Sequence, residues 1–243
     1  MKFLIFSDVH SNLEALRAFE ELAEGIEHDK KVCLGDLVGY CADPNPCLNW
    51  IREHVDIVLA GNHDYAALGK TDLSYFNPYA LESCHWTRKA LTKKSVRFLS
   101  SLPADLVANG VHWTHASPHE PEEWHYILSR IDGKDNFPEM QAPVCFFGHT
   151  HQPLVLEEDS GGGIAEFIPK GKVPLKKNCR TLINVGSLGQ PRDGDPRPVF
   201  VLYDQEAGVV EFHRFEYDIA LTQKKIRKKG LPRYLADRLS QGM

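Results

Sequence analysis

The sequence lacks the features that mark membrane and secreted proteins. No apolar run approaches the ~20 residues that a membrane-spanning helix needs. The opening stretch, MKFLIF, holds too few apolar residues for a signal peptide. The six cysteines include no C-x-x-C pair, and in a chain of this size that pattern is typical of free thiols in a reducing compartment. We therefore expect a cytoplasmic protein.

A strong excess of charge of either sign is also absent. The net charge is -5, which gives no general attraction to nucleic acid or to anionic membranes. The chain of 243 residues has no linker, repeat or break in composition, and it is long enough to bury a sizeable core without disulfides. We predict one domain over residues 1–243, with a helical tail from about Asp218.

What the sequence does contain is an alternation of short apolar runs with helical patterns. KFLIF, KVCL and VDIVLA have the character of strands, and apolar residues recur at helical spacing between them. Ser11 and Glu14 predict a capping box for the first helix. Beyond residue 104 the pattern favours strands, with hairpins around Gly110 and around the stretch DSGGG. The alternation indicates an α/β protein.

Polar side chains follow these apolar runs again and again. They are Asp8 and His10, then Asp36, then Asn62 and His63, and later His115, His149 and His151. Each alone also suits a helix cap or a turn. Together they lie where sites form in open α/β sheets, at the carboxyl ends of strands. Carboxylate, imidazole and amide ligands without cysteine suit Mn, Fe or Zn. Asp36 has two oxygens and could bridge two ions that clamp a phosphoryl group.

The motifs DVHSN, GDLVGY, GNHD and GHTH, followed by INVGSLGQPRDGDP, resemble in this order the calcineurin-like metallophosphoesterase superfamily. The chain most resembles its small bacterial and archaeal phosphodiesterase branch, which is related to diadenosine tetraphosphatases. The resemblance implies an α/β fold (α+β in some schemes): a four-layer αββα sandwich of two mixed sheets flanked by helices. It also implies two divalent ions (Mn, Fe, Zn, Ni or Co) that hold a hydroxide between them. That hydroxide would attack phosphodiesters or dinucleoside polyphosphates.

The resemblance also implies a role for each matching residue. Asp8, His10 and His151 would hold one ion, Asn62, His115 and His149 would hold the other, and Asp36 would bridge the two. His63 would be catalytic, because it would stabilise the charge of the scissile phosphate and protonate the leaving oxygen. Asp64 would orient its neighbours or cap the next helix. His112 is a rival to His115, because the usual His-Gly of the family is His115-Ala116 here.

Several residues bear on the substrate. Gly39 and Tyr40 stand where protein Ser/Thr phosphatases carry Asp-Arg, which argues against a phosphoprotein. Arg192 is a candidate for binding phosphate, and a surface salt bridge is its alternative. A pocket for a base or aryl group could be lined by Tyr40, Tyr65, His119 and Trp124, although core packing is the simpler interpretation of Trp124 alone.

We therefore expect a small phosphorylated substrate, with a nucleotide as one candidate, and no membrane or stable nucleic-acid partner. A homodimer is compatible with the sequence. Two alternatives stay open within the same fold: a phosphomonoesterase, and a scaffold protein that has lost catalysis. The scaffold alternative predicts an incomplete set of ligands, whereas this chain has all of them. A nuclease acting on DNA ends is disfavoured by the acidic net charge.

Overall fold

Two six-stranded sheets make up the β part of the computed structural model, which describes residues 1–74 and 76–243. The strands are β1 Lys2–Phe6, β2 Lys30–Cys33, β3 Ile57–Val58, β4 Asp105–Ala108, β5 Val111–Thr114, β6 Val144–Phe147, β7 Leu154–Glu158, β8 Ile164–Phe167, β9 Lys172–Pro174, β10 Arg180–Asn184, β11 Val199–Asp204 and β12 Val209–Arg214. The α-helices are α1 Leu13–Ala23, α2 Pro44–His54, α3 Asn62–Leu68, α4 Pro78–Ala90, α5 Lys93–Ser100, α6 Arg130–Asn136, α7 Ile219–Lys228 and α8 Arg233–Asp237. Short 3-10 helices cover Pro121–Glu123 and Arg238–Gln241.

Both sheets are mixed. The first has the order β3-β2-β1-β11-β12-β9, with β1, β2 and β3 parallel to one another and the other pairs antiparallel. The second has the order β4-β5-β6-β10-β7-β8, and its central strands β5, β6 and β10 are parallel. Because β1, β2 and β3 run in the same direction, their carboxyl ends meet at one edge of the sheet. The same holds for β5 and β6.

Alternate residues of β1 serve two different cores. Phe3 and Ile5 point between the sheets, where they join Trp113 of β5 in one buried cluster. Leu4 and Phe6 point to the opposite face and pack against helices, in a cluster that includes Phe19 of α1. The outer face of the second sheet has its own cluster beneath α6. The order of layers is therefore helix, sheet, sheet, helix, which confirms the predicted four-layer αββα sandwich.

Local details differ from the sequence-based expectation. The cap of α1 is Asn12, whose Oδ1 accepts a hydrogen bond from the Ala15 amide, and not Ser11. Ser11 has φ +58, so the chain is still turning there and its hydroxyl cannot take the capping position. The short strand β9 was not predicted. Among the described strands its partner is β12, and three residues carry too little periodicity to mark a strand.

The structure can be compared with two features of the sequence, the cysteine pattern and the lack of long apolar runs. All six cysteines are free, and only Cys179 is not fully buried. Among the described residues, no helix combines the length and the apolar character needed to cross a membrane. After Asp218 the chain continues as α7, α8 and a 3-10 helix, and α7 packs on α1.

Candidate metal centre

The polar residues that follow the strands converge at the carboxyl ends of parallel strands from both sheets. Two groups of side chains offer ligand atoms that lie within 4.8 Å of one another. The first group is Asp8, His10, Asp36 and His151, and the second is Asp36, His115 and His149. All are buried, and Asp36 belongs to both groups. The structure thus brings together six of the seven residues expected to bind metal. The seventh, Asn62, places its Oδ1 3.3 Å from His115 Nε2.

Asp36 lies at the junction of the two groups. Its Oδ2 is 3.5 Å from His10 Nε2 on one side and 3.5 Å from His115 Nε2 on the other. Its Oδ1 accepts a hydrogen bond of 2.8 Å from the amide of His63. One carboxylate oxygen therefore faces both ligand sets while the other fixes the orientation of the group.

Three of the imidazole rings are oriented by backbone carbonyl groups. The contacts are His10 Nδ1 to Val38 O at 3.0 Å, His115 Nδ1 to Leu34 O at 2.9 Å and His151 Nδ1 to Gln190 O at 2.5 Å. A carbonyl oxygen can only accept, so each Nδ1 carries the proton that it donates. In the neutral ring, Nε2 is then left with its lone pair. This is the second-sphere arrangement that orients metal-binding histidines in proteins.

The buried atoms fit a cation better than they fit one another. The Nε2 atoms of His10 and His151 lie 3.1 Å apart, and with both Nδ1 atoms protonated two lone pairs face each other. Asp8 Oδ1 and His149 Nε2 are buried without a hydrogen-bond partner. Buried polar atoms normally have partners. Divalent ions bound in the two groups would satisfy all four of these atoms. The donor set of carboxylate, imidazole and amide oxygen suits borderline divalent ions.

The backbone at these residues is strained. Five of the expected ligands have a positive φ: 55° at Asp8, 48° at His10, 51° at Asp36, 65° at His149 and 62° at His151. Residues other than glycine rarely adopt this left-handed region. Each residue held there costs about 1–3 kcal/mol of folding free energy. Such conformations persist at sites where the position of a side chain matters more than local stability. The same conformation at five expected ligands indicates one functional centre.

The pKa values follow from burial and from the shared carboxylate. Burial alone raises the pKa of Asp36, but the rings of His115 and His63 lower it more, and the net pKa lies well below the usual value. Burial opposes protonation of His115, yet Asp36 raises the pKa of His115 to about 9. Burial, with His115 next, lowers the pKa of His149 to about 3. Asp36 therefore raises the pKa of His115, whereas burial lowers that of His149.

His63 stands beside the centre without joining either group. It follows Asn62 at the start of α3, and its ring centroid lies 4.9 Å from His10 and 4.4 Å from Tyr40. Its Nδ1 is buried without a partner. Burial lowers the pKa of His63 to about 4, so the ring is neutral at neutral pH in the protein alone.

Asp64 holds the loop together and is not a member of either group. Its carboxylate accepts hydrogen bonds from the amides of Gly61, Leu37 and Val38 at 2.9, 3.1 and 3.1 Å. Through these contacts it joins the loop after β2 to the start of α3. This arrangement is the orienting and capping role expected for Asp64.

The other sequence candidates are spread around the centre. His112 points elsewhere, because its Nε2 lies 2.6 Å from Asp105 Oδ1. Arg192 donates from Nη2 to Gln190 Oε1 at 2.9 Å, and its guanidinium carbon lies 5.4 Å from the ring of Tyr40. Arg192 makes no salt bridge with any described carboxylate. The surface salt bridge that was its alternative role is therefore absent from the part of the chain described.

A cavity of about 590 Å³ opens next to the centre. Its lining includes Asn62, His63 and His149. Among the described residues, the aromatic side chains in its wall are those of Tyr40, Tyr65, Phe76, Trp124 and Tyr126. Sequence reasoning named the first two and Trp124, but it missed Phe76 and Tyr126. The ring of Tyr126 stacks on His149 with centroids 4.3 Å apart.

His119 does not line this cavity. It forms a separate, more exposed group with Glu120 and His125, in which both imidazoles lie against the Glu120 carboxylate at 3.5 and 3.0 Å. The prediction that His119 contributes to a base-binding pocket is therefore wrong. Its ring turns toward His125, with centroids 5.6 Å apart.

Comparison with known proteins agrees with this arrangement. A family model described as a calcineurin-like phosphoesterase superfamily domain matches residues 1–208. The chain is 39% identical to a metallophosphoesterase from Sphaerobacter thermophilus, with a TM-score of 0.89 and coverage of 100% of this chain and 99% of that one. It is also 39% identical to an uncharacterized protein of Methanocaldococcus jannaschii, over 98% of this chain and 97% of the relative. A hypothetical protein from Pyrococcus horikoshii, 19% identical, shares the fold with a TM-score of 0.79, over 100% of this chain and 98% of that one.

Proposed function

The chain belongs to the calcineurin-like phosphoesterase superfamily and is a phosphoric ester hydrolase, and we propose that it hydrolyses phosphodiesters or dinucleoside polyphosphates at a centre of two divalent ions. The observation that carries this proposal is the position of Asp36, whose carboxylate is common to two buried groups of ligand atoms. A single ion site would need only one of the two groups.

The ligands divide between two ions in this proposal. Asp8, His10 and His151 would hold one ion, Asn62, His115 and His149 would hold the other, and Asp36 would contact both. When bound, two such ions supply a nucleophile from water near neutral pH and neutralise charge on the phosphoryl oxygens. Manganese, iron, zinc, nickel and cobalt all suit these ligands.

His63 would act on the leaving group. Its ring lies beside His10 and lines the cavity, where the ester oxygen of a bound substrate would depart. The free ring is neutral, but a phosphate anion bound next to it favours the protonated form. The imidazolium can then give its proton to the departing oxygen.

Arg192 and the cavity would select the substrate. Among the described residues, the Arg192 guanidinium donates to the neutral amide of Gln190, lies against the ring of Tyr40 and makes no salt bridge, so its charge is available to a phosphate oxygen. A diester has a second substituent on phosphorus, and the cavity next to His63 and His149 offers it space. Diesters are therefore favoured over monoesters.

The test is hydrolysis by metal-stripped protein with and without added Mn²⁺. The substrates are bis-p-nitrophenyl phosphate, p-nitrophenyl phosphate and diadenosine tetraphosphate. We expect turnover that depends on metal, with the diester or the dinucleotide ahead of the monoester. Faster turnover of the monoester would support the phosphomonoesterase alternative. Two bound metals without turnover of any of the three would contradict the proposal and favour a scaffold.

A further inference from the structure

The cavity beside the metal centre carries charges that discriminate among the substrates proposed above. Its wall contains three carboxylates, from Asp72, Glu122 and Glu123, and a single ammonium group, from Lys70. The Lys70 ammonium lies 5.1 Å from the centroid of the Tyr65 ring. Away from the ligands of the metal centre, the cavity is thus aromatic and acidic. A phosphate in this part would face repulsion from the carboxylates, whereas an uncharged ring would not.

Trp124 is held in this wall at a cost to stability. It has φ +60, a conformation that is an outlier for a bulky residue, and its indole N–H is buried without a hydrogen-bond partner. Packing alone would not favour such a position. The ring stands edge-on to Tyr65, with centroids 5.0 Å apart and an interplanar angle of 82°, and it lies 5.8 Å from His115. Trp124 therefore brings a flat apolar surface close to the metal ligands.

Tyr126 presents a second ring at the same place. One face of Tyr126 lies on His149, yet the residue is 54% exposed. Exposed aromatic rings with a fixed orientation are suitable platforms for stacking, because every base or aryl ring has a π-face. Tyr65 is fixed as well, since its hydroxyl donates to Glu122 Oε1 at 3.0 Å.

We propose that this cavity binds an uncharged planar ring, a nucleobase or an aryl group, carried by the phosphoester, and that its carboxylates select against a second phosphate group. This inference rests on the proposed function and narrows it. Substrates with one phosphate next to a nucleoside or an aryl group are favoured over dinucleoside polyphosphates. The source of the ring, nucleobase or simple aryl group, is decided by the ligands compared in the test.

The test is calorimetric binding to the full chain reconstituted with Mn²⁺, which does not depend on turnover. Adenosine 5′-monophosphate and ribose 5-phosphate differ only in the base, and phenyl phosphate represents the simple aryl group. We expect the base to tighten binding at least about fivefold, as one stacked ring does. Trp124→Ala should abolish this difference. Tyr79→Ala is the control, because Tyr79 is an exposed aromatic residue that stacks on Tyr234 and does not line the cavity.

Equal affinity for adenosine 5′-monophosphate and ribose 5-phosphate, with phenyl phosphate no tighter, would overturn the ring site. So would a preference that survives Trp124→Ala. If phenyl phosphate binds as tightly as the nucleotide, the aryl group is the recognised ring. If the ring preference is present but no phosphoester is turned over, the proposed function fails while the ring site stands.

The charge selection has its own test. We expect the ratio of the Kd for adenosine diphosphate to the Kd for adenosine monophosphate to fall severalfold in the double variant Glu122→Gln/Glu123→Gln. The control is Glu206→Gln, which removes an exposed carboxylate from a turn distant in sequence. An unchanged ratio in the double variant would overturn the selection against a second phosphate.

Discussion

Gly61→Ala is the substitution for which the structure predicts the most specific damage. Gly61 has φ -109 and ψ -177, an extended conformation that alanine adopts without strain. A Cβ at this position, however, would lie 2.2 Å from Asp36 Oδ1 and 2.6 Å from the Asp36 amide nitrogen. The clash thus falls on the one carboxylate that both ligand groups share, and it reaches the backbone that holds this carboxylate.

The size of the effect follows from this geometry. To restore a normal contact, Asp36 must move by roughly 1 Å, and a displacement of about 1 Å at a catalytic centre costs on the order of 100-fold in rate. Overpacking of a buried site costs about 1–3 kcal/mol of folding free energy. At about 2–4 °C per kcal/mol for a domain of this size, Tm should fall by about 2–12 °C.

The assay is kcat/KM on bis-p-nitrophenyl phosphate, with the metal content and Tm of the same preparations. Gly25→Ala is the matched control, because its added Cβ would meet only Leu22 O, at 3.7 Å. This control should keep both activity and metal. If Gly61→Ala retained full activity and two metals per chain, Asp36 would not be the shared ligand, and the reasoning would be refuted.

Other predictions address the remaining roles. His63→Ala should lower kcat by about 10²–10⁴-fold, the range for a lost general acid, and should leave the metal content unchanged. Asp36→Ala should lose metal as well as activity. Metal analysis of the same preparations used for kinetics separates the two roles. In the folded protein a thiol reagent should modify Cys179 alone, because the other thiols are buried, and complete modification of all six before unfolding would contradict the packing. The side-chain hydrogen bond from Arg197 lowers the pKa of Asp195 to about 2. A lowered carboxyl pKa adds stability that is present above the unfolded pKa and is lost as pH falls towards 2, so any Tm deficit of Arg197→Gln at pH 6 should disappear near pH 2.

The α/β class and the grouping of the expected ligands were predictable from the pattern of the sequence, because each of the polar residues follows an apolar strand. The carboxyl ends of parallel strands meet at one edge of a sheet, so the order of strands and polar residues along the chain is enough to place Asp8, Asp36 and Asn62 near one another. The αββα layers needed the family resemblance, since periodicity alone does not say which sheet a strand joins. The roles of the individual ligands stay predictions until metal is measured.

The cavity was only partly predictable, because its wall comes from distant segments. Tyr126 reaches His149 from a loop between Glu123 and Arg130 that has no helical or strand periodicity. His119 lies a few residues earlier in the chain, yet it turns to Glu120 and away from the cavity. Side-chain direction in such irregular segments depends on φ at single residues. No local sequence signal marks the left-handed conformation of Trp124.

The motif INVGSLGQ explains how the strained ligands are held, although none of its residues joins the two ligand groups. The Ser187 hydroxyl and the Gly189 amide both donate to the backbone carbonyl of Asp8, at 3.0 and 2.8 Å. The carbonyl of Gln190 accepts a hydrogen bond from His151 Nδ1, and the Asn184 side-chain amide donates to Gly148 O at 2.7 Å. One short segment that begins at the end of β10 therefore fixes ligand loops from both sheets. Because its contacts are mainly to backbone atoms, the segment sets the positions of the ligands and leaves their metal-binding atoms free.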